Sequence, residues 1–130
     1  MTPSRCVTVL VAMCALLGCG SNATAPASEH PALLIRVHAP ATVVPATPFS
    51  VTGYFGHGAC DTARPVREVS ATGAQLGMTV TSDIPPGTMC IDILLVDSVR
   101  VDVVPPYTLP YTVRLQRYMM PDSVVVIAGR

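Results

Sequence analysis

Val99-Arg100-Val101-Asp102-Val103 alternates apolar and charged side chains with a period of two. Successive side chains of a strand point to opposite faces, so this run puts three valines on one face and an arginine with an aspartate on the other. A helix would scatter the valines around its circumference. The stretch therefore predicts a half-buried strand whose opposite charges share the solvent face. The same pattern spreads outward in both directions. Phe49, Val51, Gly53 and Phe55 alternate with Ser50, Thr52 and Tyr54; Tyr111, Val113 and Leu115 alternate with Thr112, Arg114 and Gln116. Nearer the start, Leu33, Ile35 and Val37 oppose Leu34, Arg36 and His38, and residues 123–128 are mostly apolar.

Residues 66–72, 75–81 and 90–96 complete a set of about eight strands, and Ile84-Pro85-Pro86-Gly87 marks a turn. Residues 66–76 also admit a short helix, because Val66, Val69 and Gly73 have helical spacing, but Ser70-Ala71-Thr72-Gly73 caps a helix poorly and strand is preferred. Pro and Gly recur between the runs, as in a sandwich or barrel. Pro40, Pro45, Pro48, Pro105, Pro106 and Pro110 fall where they protect strand edges and ends, since proline cannot donate a ladder hydrogen bond. The expected fold is an all-β, antiparallel sandwich of seven to eight strands, monomeric, with no internal repeat.

Composition agrees. The 130 residues are half apolar, with 13 Pro, 9 Gly, no Trp and only 12% charged side chains. That length suits one domain, and so low a charge leaves Thr, Ser and small residues to build the solvent face, which fits strands better than a helical bundle. All eight basic residues are Arg, and eight Asp and Glu balance them. The chain has no basic field for nucleic acid or anionic headgroups.

The N-terminus has a different organisation. Residues 1–5 carry a positive charge, residues 6–17 form an uncharged apolar run, and small residues follow. These are the parts of a secretory signal, and the run is shorter than the about 20 residues a transmembrane helix needs. The boundary Leu16-Leu17-Gly18-Cys19 resembles the lipobox of bacterial lipoproteins. That resemblance implies removal of residues 1–18, a diacylglyceryl thioether on Cys19, acylation of the new N-terminus, and a protein anchored in the bacterial cell envelope. Several acyl chains are needed for firm anchoring, at about 0.8 kcal/mol per buried CH₂. Gly20 and Ser21 follow, without Asp at the second mature position; in enteric-type bacteria this favours the outer membrane, while elsewhere inner and outer membrane both remain open. Ordinary secretory cleavage among residues 21–27 is the alternative. Residues 19–31 are Ser, Asn, Ala, Thr and Pro-rich, the composition of a flexible tether, leaving residues 32–130 as the domain. Asn22-Ala23-Thr24 matches a glycosylation acceptor pattern that occurs readily by chance.

Over residues 32–130 the short strands, flanking prolines and the terminal Tyr111-Thr112-Val113-Arg114-Leu115 strand resemble the immunoglobulin-like sandwiches of bacterial envelope lipoproteins, although no Trp is present for the Cys-Trp-Cys core of true immunoglobulin domains. If Cys6 and Cys14 leave with the signal and Cys19 is acylated, Cys60 and Cys90 remain. In an oxidising envelope such a pair is most simply a disulfide.

His57, Cys60, Asp61 and Met89 suggest a copper or zinc site if the cysteines are reduced, but a cupredoxin-like site needs a His downstream of its Cys and no His follows His57. A Cys60 nucleophile with His57 needs a free thiolate. No Ser sits in a Gly-x-Ser-x-Gly elbow, and Asp92, Asp97 and Asp102 lie along strands rather than as an acid and base pair. The expectation is a non-enzymatic binding or structural module, with no cofactor, that contacts an envelope protein, a glycan or a small ligand. Candidate contacts are Tyr54, Phe55 and His57, and Tyr118, Met119 and Met120. A protease-inhibitor role through the Pro-rich residues 104–110 is a further alternative.

Overall fold

The computed structural model describes residues 28–82, 84–85 and 87–130. The expected signal (residues 1–18), Cys19 and the tether through residue 27 lie outside the described residues. Among the described residues nine strands form: β1 Ser28–Pro31, β2 Leu33–His38, β3 Thr42–Val43, β4 Phe49–Gly58, β5 Thr62–Val69, β6 Gly73–Ser82, β7 Leu94–Val103, β8 Tyr111–Leu115 and β9 Ser123–Gly129. Among the described residues there is no helix.

They form the two layers of an all-β sandwich. One sheet has three strands in the order β2-β4-β7, all antiparallel. The other has six. The whole of β5 pairs with one edge of β6, while β8 and β1 share the other edge, β8 at Gly73 to Leu76 and β1 at Thr79 to Ser82. Beyond β8 come β9 and β3. The second sheet is mixed: β6 with β8, and β3 with β9, run parallel. Alternation along single strands carries no record of partner direction, so the antiparallel expectation missed these two pairs.

Between the layers lie Val51 and Phe55 of β4, Leu76, Met78 and Val80 of β6, Val99, Val101 and Val103 of β7, Tyr111, Val113 and Leu115 of β8, and Ile127 of β9. The period-two reading of β4, β7 and β8 thus identified the core-facing side chains. Gly53 lies on the same inward face, where a Cβ would come within 2.7 Å of the Phe55 ring, so its bareness makes room for that ring. Phe49, Tyr107 and Tyr111 pack edge to face at the far end of the core, with centroids 5.2 to 6.0 Å apart.

Several expectations need correction or refinement. The expected strands at residues 90–96 and 99–103 are one: Cys90 to Ile93 is irregular and β7 runs unbroken from Leu94, because its whole length pairs with β4. Residues 66–76 are strand rather than helix, as preferred, but the bounds of the strands expected at 66–72 and 75–81 shift: β5 runs over Thr62–Val69, a turn closed by Ser70 N donating to Gly73 O at 2.8 Å follows, and β6 starts at Gly73. In β2 a bulge between Leu34 and Arg36 breaks the alternation, so Leu34 and Val37 meet the core while Leu33 and Ile35 face solvent. The apolar run of the last strand gives no alternation in sequence, yet burial alternates along it: Ile127 is enclosed, but Val124 and Val126 are exposed. Finally, Ser28 to Pro31, placed by composition in the tether, form β1, because they pair with an edge of β6.

Candidate functional site

Strand polarity gathers the chemistry at one end of the sandwich. β4 ends at Gly58 and β5 begins at Thr62, so the connecting Ala59, Cys60 and Asp61 turn at that end. Thr62 pairs with Thr81, which places the end of β6 there, and Ser28 pairs with Ser82, which places the start of β1 there. Leu33 pairs with Gly56 and Leu94 with Gly58, so β2 and β7 also begin there. The chain therefore enters the domain at the end that carries the Cys60–Cys90 disulfide.

That disulfide spans 30 residues with Cα atoms 5.9 Å apart. It pins the segment that leads from β6 to β7 onto the β4–β5 turn, helped by Ala59 N donating to Ile93 O at 3.2 Å. Asp61 organises the same turn. Its carboxylate accepts from Gly58 N at 2.9 Å and from Ser82 Oγ at 2.7 Å, tying the turn to the opposite sheet.

His57 is the buried polar residue of this end, 8% exposed on the inward side of β4. Its Nε2 lies 2.8 Å from Asp97 Oδ2 and its Nδ1 lies 3.0 Å from Gly58 O. Both partners are acceptors only, so both bonds form together only when both ring nitrogens carry hydrogen, that is, in the imidazolium. Burial of the ring opposes that charge. The Asp97 hydrogen bond, the Gly58 carbonyl and the carboxylates of Asp97 and Asp61 outweigh it, holding the pKa above the ordinary 6.5. Such a ring is a proton-dependent clamp between β4 and β7. With both nitrogens engaged, it presents no lone pair for a metal or a substrate proton.

The contact residues expected from sequence do not form one cluster. Phe55 is core and fully buried. Tyr54, one residue before it, points to the opposite face of β4, where the Arg36 guanidinium sits 4.2 Å above its ring. Tyr118 belongs to the other sheet, in the β8–β9 connection, and stacks against His30 of β1 with centroids 4.8 Å apart. Met119 and Met120 beside it are exposed. Cys60, the candidate ligand or nucleophile, has its sulfur in the disulfide. Among the described residues no three His, Cys, Asp or Glu side chains converge as a metal set. Residues 104–110 lie at the opposite end, held by Tyr107 Oη donating to Thr47 O at 2.6 Å and Thr108 N donating to Ala71 O at 2.8 Å.

Two features were missed from sequence. One is an open groove of about 650 Å³ lined by Glu68, Gln75, Thr112 and Arg114, in which Glu68, Gln75 and Arg114 fall in one cross-strand row. The parity of Gln75 and Arg114 in their strands signalled an outward position, but the parallel register that aligns them did not show. The other is the apolar surface of the entry end, where Leu33, Ile35, Met89, Ile91, Leu94 and Val96 are all exposed. Its signal, the apolar run Ile91-Asp92-Ile93-Leu94-Leu95-Val96, reads from sequence simply as a strand. No protein-family model, no curated protein and no solved structure matches the chain.

Proposed function

We propose that this chain is a lipid-anchored lipoprotein of the bacterial cell envelope whose sandwich, immunoglobulin-like in style, acts as a non-enzymatic binding or structural module. The observation that carries the reading is the sequence Leu16-Leu17-Gly18-Cys19 behind a short uncharged apolar run, with strand β1 at Ser28–Pro31 downstream of the cysteine. A disulfide-bonded domain fits an oxidising compartment outside the cytosol. The non-enzymatic part draws on the state of the strongest catalytic candidates: the Cys60 sulfur is in a disulfide, and both His57 nitrogens are taken by structural partners. The same two observations weigh against copper or zinc binding through this pair.

Radiolabelled palmitate fed to bacteria expressing the chain tests the anchor. The wild type should incorporate label and fractionate with membranes, and Cys19→Ser should do neither. A wild-type chain that stays unlabelled, or a Cys19→Ser chain labelled as strongly as wild type, would remove the anchor from the account.

A further inference from the structure

We propose that the apolar entry end is a shallow lipid seat: Leu33, Ile35, Leu94 and Val96 around Gly56, with Met89 and Ile91 on the disulfide-pinned segment, rest on the membrane surface that holds Cys19. The proposal builds on the reading of Cys19 as an acylated residue. These six side chains are between 44% and 95% exposed, and nothing among the described residues covers them. Four of them share the outer face of the three-stranded sheet. Leu33 and Val96 pair with Gly56 from either side, and a Cβ on Gly56 would meet Leu94 at 2.9 Å and Ile35 at 3.1 Å. Further along, the same face becomes polar, carrying Arg36 over Tyr54, then Ser98, Arg100 and Asp102. On the outer face of the three-stranded sheet, the apolar surface therefore lies at the end at which the chain enters.

Chain length selects a bilayer as the occupant. Eight residues separate Cys19 from Ser28, and nine peptide steps reach at most about 30 Å when fully extended. An acylated Cys19 would hold the entry end within that distance of the bilayer, while the opposite end lies a further strand length, about 33 Å, along the domain. The anchor thus keeps the exposed apolar end closer to its point of attachment than the opposite end of the domain. Contact would add buried apolar area to that of the acyl chains. Asp92, between Ile91 and Ile93, keeps the depth to the headgroup boundary. Tyr54 and Arg36 just below the patch suit that level, an aromatic ring and a guanidinium able to keep its charge among headgroups.

The absence of native Trp supplies the test, because a single introduced Trp is the sole indole in the chain. The acylated full mature chain carrying Met89→Trp, a position 95% exposed, is reconstituted in vesicles of phosphatidylethanolamine and phosphatidylglycerol with brominated acyl chains. Val104→Trp, exposed at the opposite end, is the comparison. Quenching and a blue shift at position 89, with neither at 104, is the expected result. Palmitate incorporation by the same preparations reads the anchor separately. Labelled chains with both Trp residues unquenched would overturn the seat and leave the anchor standing, whereas unlabelled chains would overturn the anchor and the seat with it. A blue shift at position 89 that grows with protein concentration in the absence of vesicles would assign the surface to a second copy and overturn the lipid seat.

Discussion

His57 couples stability to pH with a definite sign. Its folded pKa is raised above 6.5, so the stability it contributes is fully present below pH 6.5 and is lost as pH rises through the higher folded value. Denaturant titrations across this window, with the disulfide intact, should show wild type weakening toward alkaline pH and His57→Gln losing that dependence. A wild type whose midpoint is flat above pH 6.5 would contradict the clamp. Tyr111 is a second residue whose polar atom matters. Its fully buried ring sends its hydroxyl to Ser70 O at 2.9 Å, across to the β5–β6 turn. Removing that donor in Tyr111→Phe should cost about 1 kcal/mol by urea unfolding. By contrast, Arg100 and Asp102 form a 2.8 Å ion pair in which both side chains are more than half exposed. Asp102→Asn should change stability by less than about 1 kcal/mol. The Arg100 and Asp102 positions could be read from alternation alone; the His57 and Asp97 partnership could not, because forty residues separate them and only the β4–β7 register brings them together.

Pairing between elements adds constraints that no single strand contains. A Cβ at Gly73 would lie 2.5 Å from Thr112 O, a backbone atom of the parallel neighbour β8. A main-chain oxygen cannot swing aside, so Gly73→Ala must push β6 and β8 apart, at about 1 to 3 kcal/mol. A melting temperature equal to wild type would show that the two strands can separate freely there. The disulfide constrains a different pair of elements. Closing a 30-residue loop restricts the unfolded chain by about 3 to 4 kcal/mol in the chain-entropy model. Cys60→Ser should therefore lower the melting temperature and expose residues 84–93 to proteolysis before the rest of the domain. Most strands were legible because alternation is local. β1 and β3 were not, being four and two residues long and existing only because β6 and β9 offer them an edge.

Across the whole molecule, hydrophobic side chains divide into a set buried between the sheets and a set left exposed, and the two differ energetically. Ile91 and Leu94 are more than half exposed, so Ile91→Asp with Leu94→Asp should leave thermal stability within about 0.5 kcal/mol of wild type per site. Leu115→Ala, fully buried between the sheets, should cost about 2 to 5 kcal/mol in the same calorimetric comparison. Near equality of the two losses would mean that the entry end is packed after all. The sequence by itself determined the class of fold, the core faces of β4, β7 and β8 and the pairing of the two late cysteines, since period-two patterning and thiol chemistry act over a few residues or by counting. Tertiary structure alone decided the parallel pairs, the bulge that turns Ile35 outward, the His57 clamp and the gathering of exposed hydrophobics at the chain's point of entry. Each depends on which strand lies beside which, and register between distant segments is a property of the folded sheets, not of any stretch within them.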